Sequence, residues 1–221
     1  MLPDATDYDT LRRDFSWAIP EFYNIGEDVC DKWAARRPED LALSFVDDTG
    51  AVLDFSFGEL RDQSNRLANL LVADGVERGD RVAILLGQTP ETALGHIAVY
   101  KIGAITVPMS TLFGGEALSH RLTDSGASVL ITDRQGVANI APLRAKLPLL
   151  RSILAIDGAT GEARDLHRVI ADCSIDFTPV TTRADDPAMI ILHLRHDGST
   201  QGRAARPPDS PRPSARHRDE P

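Results

Sequence analysis

The run most suggestive of chemistry lies near the C-terminus, where residues 198–202 read GSTQG, a sequence rich in glycine and hydroxyl side chains. Backbone N–H groups of such loops hold phosphate oxygens, and a nearby lysine usually adds positive charge. The lysines of the chain are Lys32, Lys101 and Lys146, so none follows the run. Residues 198–202 therefore have the composition of a phosphate loop but lack its cation.

The other polar positions are better explained by structure than by catalysis. Gly114 and Gly115 precede a predicted helix whose N-terminus could bind an anion, but no glycine-rich phosphate signature surrounds them, and a turn explains them better. The six histidines are scattered, and His96 and His120 have no metal-ligand partner one helical turn away. We therefore predict no catalytic, cofactor-binding or metal-binding residue in this chain.

Composition narrows the class of protein. The 221 residues carry a formal net charge of −9, whereas a nucleic-acid-binding protein normally shows a basic face. Cys30 and Cys173 are far apart and form neither a disulfide framework nor a zinc motif, which suits a reducing compartment. No signal segment and no apolar run of membrane-spanning length are visible. We expect a cytoplasmic protein with no membrane span and no nucleic-acid partner.

Helical and strand periodicity alternate from about residue 26 to residue 191. This alternation is typical of an α/β domain with a largely parallel sheet flanked by helices. The predicted strands span residues 41–46, 52–55, 81–86, 105–108, 129–132 and 152–156. The predicted helices span residues 28–36, 90–102, 116–124 and 138–146, with one behind Ser56 and a weak one around Leu166.

Local signals describe three of the predicted helices. The helix over residues 28–36 is predicted to bury Val29 and Trp33, which are one turn apart. Ser56 and Glu59 have the S-x-x-E spacing of a capping box, which explains them without catalysis. Thr89 can cap the next helix, with Pro90 at its first position, where a missing N–H costs nothing.

The character of the sequence changes after Ile191. Residues 192–221 contain 6 Arg, 4 acidic residues and 5 Pro, and no Phe, Tyr, Trp, Val or Ile. Such a segment buries too little apolar surface to offset the entropy of ordering it. We therefore divide the chain into an N-terminal extension (1–19), a partial α/β domain (20–191) and a disordered C-terminal tail (192–221).

Two long segments carry a resemblance to a known family. Residues 23–33 read YNIGEDVCDKW and are followed by Arg37-Pro38, and residues 81–133 run from RVAILLGQTPETALGHIAVYKIGAITVP through MSTLFGGEALSHRLTDSGASVLITD. Both resemble the opening of short- and medium-chain acyl-CoA synthetases, which are AMP-binding, adenylate-forming ligases. The resemblance covers roughly residues 20–191 and implies a partial N-terminal domain of such an enzyme.

The resemblance stops at the phosphate loop. In the family, a strand like the one ending at Ile191 leads into YTSGTTGxPKG, whereas this chain reads LHLRHDGSTQGRAARPP. With suitable synonymous codons, omitting the first base of the Leu192 codon gives YTSGTTGPPKGARHGH in the new frame. First and second codon positions are largely fixed by the protein sequence, so a match of this length indicates a one-base insertion near Leu192.

The family activity implied by the resemblance is ATP-dependent activation of a carboxylic acid to an acyl-adenylate, followed by transfer of the acyl group to coenzyme A. Such sites combine a glycine-rich loop, Mg²⁺ and lysine to stabilise phosphate charge. In the family these parts lie beyond the position of Leu192, so we expect ATP, Mg²⁺ and coenzyme A to find no productive site on this fragment, and we expect the fragment to aggregate.

A second hypothesis remains open at this point. The chain would then be a non-catalytic α/β binding module whose Arg/Pro-rich tail recruits a partner. The absence of the phosphate loop favours the inactive ligase fragment, and the DNA that encodes the tail distinguishes the two.

Overall fold

The computed structural model describes residues 7–194 and 200–205. Helix α1 (Tyr8–Asp14) comes first, and a π-helical turn (Glu27–Asp31) then runs into α2 (Lys32–Ala34). Strands β1 (Leu41–Val46) and β2 (Val52–Ser56) form an antiparallel hairpin. The alternating part comprises α3 (Phe57–Ala73), β3 (Arg81–Leu85), α4 (Pro90–Lys101), β4 (Ile105–Met109), α5 (Gly115–Ser125), β5 (Val129–Thr132), α6 (Arg134–Ile140), a 3-10 helix (Ala141–Lys146), β6 (Ser152–Ala155), β7 (Arg164–Asp165), α7 (Leu166–Ala171), β8 (Met189–Leu194) and β9 (Thr200–Ala205).

The sheet that organises the domain has the strand order β7-β6-β5-β3-β4-β8-β9. All pairs from β7 to β8 are parallel, and β9 pairs antiparallel with β8. The predicted α/β class with a largely parallel, helix-flanked sheet is therefore confirmed. The strands predicted at residues 41–46 and 129–132 have the predicted bounds, and those predicted at residues 52–55, 81–86, 105–108 and 152–156 each differ by one residue at the C-terminal end.

Helices cover both faces of this sheet. The connection from β3 to β4 runs through α4 on one face of the sheet. The connections from β4 to β5 and from β5 to β6 cross the sheet in the opposite direction, so right-handed crossovers place α5 and α6 on the other face. The first face buries side chains of α3, α4 and α7 against Val82, Ile84 and Ile131. The second face buries side chains of α5 and α6 against Ala83, Leu85 and Leu130. The result is a three-layer arrangement in which the central strands are fully buried.

Two predicted helix starts have the expected form, with one difference. Ser56 accepts from the backbone N–H of Glu59, and the Glu59 carboxylate accepts from the N–H of Ser56, so the capping box is complete. Thr89 is the N-cap residue of α4 with Pro90 behind it, but its side chain makes no capping bond to the helix. The Thr89 hydroxyl instead lies 3.4 Å from the hydroxyl of Thr92.

The predicted burial of Val29 and Trp33 is wrong. Val29 is 45% exposed and Trp33 is 38% exposed, whereas Cys30 and Ala34 are buried. Cys30 and Ala34 are also one helical turn apart, so spacing alone fits either pair. The face of this helix that packs on the domain is the one with Asp31, which contacts the buried ammonium of Lys101, and it begins one residue later than predicted.

The C-terminal boundary also differs from the sequence prediction. Strand β8 continues to Leu194 and so includes the first three residues of the predicted tail, and the backbone of residues 200–205 forms β9 beside it. Backbone pairing with an open strand edge needs no apolar side chains, so composition alone did not indicate β9. The rest of the predicted tail, residues 195–199 and 206–221, lies outside the described residues.

Helix α3 is the longest helix in the described part of the chain, with 17 residues. No helix within residues 7–194 and 200–205 combines the length and the apolar composition needed to cross a bilayer.

Candidate functional site

The carboxyl edge of the parallel sheet is the place where the fold can build a ligand site. In open α/β sheets, ligands bind outside the carboxyl ends of the strands, where neighbouring connections leave for opposite faces. Here β3 leads into α4 on one face, and its neighbour β4 leads into α5 on the other. Strand β8 ends at the same edge, beside β4. The loops after β3 and β4 therefore border one crevice, next to the end of β8.

The loop between β4 and α5 is a tight turn at this edge. The N–H of Phe113 donates to the carbonyl of Ser110 at 3.2 Å, and the N–H of Leu112 donates to the Ser110 hydroxyl at 3.2 Å. Gly114 is the N-cap residue of α5, and Gly115 is its first residue. A methyl group at Gly114 would meet nothing within 4 Å. The two glycines thus occupy the turn that the sequence indicated, and the space in front of the helix is open.

Arg121 is a buried cation beside this loop. Its side chain is only 3% exposed, and its guanidinium carbon lies 3.9 Å from the centre of the Phe113 ring. One terminal nitrogen donates to the carbonyl of Ala117 at 3.1 Å, and the other lies 3.5 Å from the carbonyl of Leu192. Burial lowers the pKa of Arg121 from its ordinary value. Arg121 therefore ties α5 to the end of β8 through backbone carbonyls.

The turn after β5 is fixed by a close contact between strand and helix. The Thr132 hydroxyl donates to the carbonyl of Leu85 at 2.9 Å and thereby joins β5 to β3. The Asp133 carboxylate caps α6 by accepting from the N–H of Gly136 at 2.7 Å. A methyl group at Gly136 would lie 1.8 Å from the Thr132 hydroxyl oxygen, so this position requires glycine.

A buried ammonium group that the sequence did not reveal lies elsewhere, beneath the π-helical turn of Glu27–Asp31. Lys101, at the end of α4, is fully buried. Its Nζ donates to the Asn65 side-chain oxygen at 2.6 Å and to the Ser64 hydroxyl at 2.8 Å, and it lies 2.5 Å from an Asp31 carboxylate oxygen. A lysine in the last turn of a helix usually indicates only a favourable dipole contact, so its spacing gave no signal of burial.

Two further residues complete this buried polar cluster. The Asn24 amide donates to the carbonyls of Tyr100 and Val180, each at 2.9 Å, and to that of Lys101 at 3.3 Å. Burial raises the pKa of the Cys30 thiol to about 11, against the opposing influence of the Lys101 charge. At neutral pH Cys30 is therefore a protonated thiol and a weak nucleophile.

The histidines considered in the sequence have ordinary surroundings. His96 Nδ1 lies 3.1 Å from the Tyr100 hydroxyl, and burial lowers the pKa of His96. His120 is exposed on α5. No group of three or more His, Cys, Asp or Glu residues with metal-binding geometry occurs in the portion of the chain that the structure describes.

The described residues at the carboxyl edge form a scaffold that includes two guanidinium groups already bonded to backbone carbonyls. Arg121 faces the carbonyls of Ala117 and Leu192, and Arg134 donates to the carbonyl of Asp157 at 3.1 Å. The three lysines lie away from this edge, since Lys101 and Lys146 come just before β4 and β6 begin and Lys32 lies in α2. Of the predicted phosphate-loop-like run, residues 198 and 199 lie outside the described residues, and residues 200–202 belong to β9. Within the described ranges, this edge therefore carries no lysine and no complete glycine-rich loop.

Comparison with known proteins places this scaffold in context. The model of the AMP-binding enzyme family matches residues 30–192. The mitochondrial acyl-coenzyme A synthetase ACSM3 of Mus musculus is 31% identical over 194 residues, which are 85% of this chain and 33% of that protein. Acetyl-coenzyme A synthetase 2 of Pseudomonas putida is 33% identical over 199 residues, covering 81% of this chain and 30% of that protein.

The fold is likewise similar to solved structures. An acyl-CoA synthetase of Brucella canis superposes with a TM-score of 0.76 at 25% identity, over 88% of this chain and 37% of that one. MatB of Rhodopseudomonas palustris, in a structure with bound ATP, superposes with a TM-score of 0.66 at 27% identity, over 81% of this chain and 34% of that one. The chain spans about a third of the length of the curated relatives it matches.

Proposed function

The chain belongs to the AMP-binding enzyme family, and we propose that it is the first part of an acyl-CoA synthetase whose reading frame is lost near Leu192. In this proposal the gene descends from a ligase that activates a carboxylic acid with Mg²⁺ and ATP. The acyl-adenylate formed with release of pyrophosphate would then react with coenzyme A. The chain itself holds the scaffold of that reaction and does not catalyse it.

One coincidence carries the proposal. The family match ends at residue 192, and Leu192 is also the codon at which a one-base change of frame yields YTSGTTGPPKG. Leu192 also lies in β8 as the strand approaches the carboxyl edge, and Arg121 of α5 faces its carbonyl at 3.5 Å. A phosphate loop is useful there because its N–H groups would face the crevice between β3 and β4. Sequence similarity, codon reading and topology thus converge on one residue.

The alternative, a binding module that recruits a partner through its Arg/Pro-rich tail, has less support. Nothing in the described residues favours a partner, whereas the tail follows directly from the change of frame. We therefore retain the ligase fragment as the proposal.

The sheet also suggests how the fragment behaves in solution. Ile191 on β8 is 38% exposed, and several apolar side chains of the β1–β2 hairpin are about half exposed, namely Leu41, Val46, Val52 and Leu53. Exposed apolar strands favour association between chains. We propose that the fragment aggregates at concentrations at which a full-length synthetase stays monodisperse.

Sequencing the locus tests the proposal directly. We expect the DNA after the Leu192 codon to encode the rest of an acyl-CoA synthetase in a second frame, because an insertion leaves downstream codons intact. The extra base is then either present in the gene or introduced when the sequence was determined, and independent reads separate these cases. If no frame downstream encodes ligase-like sequence, the tail is genuine and the binding module becomes the better hypothesis.

A further inference from the structure

Residues 21–34, which we name the N-terminal strap, lie across the body of the domain and are held along both sides. On one side the N–H of Tyr23 donates to the carbonyl of Thr182 at 2.8 Å, and the Thr182 hydroxyl donates to the carbonyl of Tyr23 at 2.7 Å. On the other side Asp31 contacts the buried ammonium of Lys101 at 2.5 Å. The strap is therefore held chiefly by polar contacts.

The strap buries little apolar surface. Its buried residues are Asn24, Gly26, Cys30 and Ala34, so no large apolar side chain of the strap is buried. The large ones are partly exposed, with Phe22 at 55%, Val29 at 45% and Trp33 at 38%. Hydrophobic stabilisation scales with the apolar area removed from water, and released polar groups regain hydrogen bonds with water. Opening the strap therefore costs less than unfolding the sheet.

The closed position is nevertheless specific. A methyl group at Gly26 would lie 2.7 Å from Lys101 Cγ and 2.8 Å from the backbone carbonyl oxygen of Ile97, so the strap touches the backbone of α4. Lys101 has its three polar partners only when Asp31 is in place. A buried ion pair contributes little net stability, but removing one partner leaves the other charge buried and unpaired. The ion pair between Lys101 and Asp31 thus favours the closed position of the strap over the open one.

We propose that residues 21–34 open as a unit while the sheet stays folded, and that the ion pair between Lys101 and Asp31 is the latch that holds them closed. Opening admits water and small reagents to the Cys30 thiol and to the surfaces of α3 and α4 that the strap covers. The proposal does not depend on the ligase reaction, because every contact it uses lies within residues 21–184.

Alkylation of the two cysteines tests this inference on the full chain. The monomeric protein is treated with iodoacetamide at pH 8 in 0, 0.5, 1 and 1.5 M urea, and mass spectrometry follows Cys30 and Cys173 separately. Cys173 is half-buried outside the strap and serves as the internal reference. We expect Cys30 to react slowly at a rate that hardly changes with urea, because local opening exposes little surface.

Lys101→Met is the decisive variant. It removes the charge that faces Asp31, and we expect the Cys30 rate to rise at least about tenfold while the Cys173 rate is unchanged. Lys32→Met is the matched control, because Lys32 lies in the strap but pairs with Asp28 at the surface, at 2.7 Å. That variant should be alkylated at Cys30 at a rate within about twofold of the wild-type rate, since exposed ion pairs contribute little to stability. Gly26→Ala should act like Lys101→Met without changing charge.

Two results would overturn the proposal. In the first, the wild-type Cys30 rate increases with urea with the slope of global unfolding, which would mean that the thiol is reached only when the sheet unfolds. In the second, Lys101→Met and Lys32→Met give the same Cys30 rate, which would remove the latch. If Lys101→Met fails to fold, the wild-type urea series and Gly26→Ala decide between the same outcomes.

Discussion

Deleting one base from the Leu192 codon, so that the ligase frame continues to its natural end, is expected to produce acid-dependent release of pyrophosphate from ATP. The chain as it stands is expected to release none with fatty, branched or aromatic acids in the presence of coenzyme A. Removing one preorganised donor from such a site lowers the rate by about 10²–10³. Here the whole loop is replaced, so the difference should exceed about 10³-fold.

The geometry of two buried cations among the described residues is the reason why we expect no substitute for the loop. Arg121 is the buried cation nearest the crevice, but its terminal nitrogens already face the carbonyls of Ala117 and Leu192. Lys101 is fully buried at the opposite edge of the sheet and bound to Asp31. Neither side chain can approach a phosphate without breaking a buried contact, which costs more than the new contact returns.

The assay needs two controls. The frame-restored protein with alanine in place of the lysine of its loop should fold equally well and lose most of the activity, which separates the charge from the fold. The same protein without an acid should release no pyrophosphate, which excludes a contaminating ATPase. Acid-dependent release by the uncorrected chain at a rate within about tenfold of the restored one would disprove the proposed loss of function.

Much of the fold could be predicted because its signals are local. The capping box at Ser56 and Glu59, the Pro90 start of α4 and the strand of residues 129–132 each depend on residues within one turn or one strand. The parallel sheet follows from their alternation, since each helix must return the chain to the same edge.

The parts that the sequence missed depend on contacts between distant residues. Lys101 is buried because Ser64 and Asn65, which lie 37 and 36 positions earlier, supply its oxygen partners. The burial of Val29 and Trp33 was predicted wrongly because Cys30 and Ala34 have the same spacing, and the contact of Asp31 with the distant Lys101 selects the face with Cys30 and Ala34. Strand β9 pairs through its backbone, which leaves no pattern in the side chains. The absence of catalytic residues stays a prediction.

The contact between β5 and α6 gives the largest expected effect on stability. Gly136 has an ordinary helical backbone, and an exposed helical Gly→Ala change would stabilise by about 1 kcal/mol. Here the new methyl group would lie 1.8 Å from the Thr132 hydroxyl oxygen and 3.3 Å from Leu85 Cδ2. Thr132 is fully buried, so its hydroxyl can move only by giving up its hydrogen bond to the Leu85 carbonyl. Overlap and the lost bond together outweigh the gain in helix propensity.

We expect Gly136→Ala to lower the free energy of unfolding by about 2–3 kcal/mol, which corresponds to a Tm about 4–12 °C lower for a chain of this size. Gly114→Ala is the matched control, because its methyl group meets nothing within 4 Å, and its free energy of unfolding should change by less than about 1 kcal/mol. Thr132→Ala removes the clashing oxygen. The loss of stability in the double variant should therefore be smaller than the sum of the two single losses, by about 1–3 kcal/mol. Calorimetry of the wild type, the two single variants and the double variant measures this coupling. If Gly136→Ala has the same Tm as the wild type, the turn after β5 can move without loss of stability. The close approach of α6 to Thr132 would then not fix the carboxyl edge.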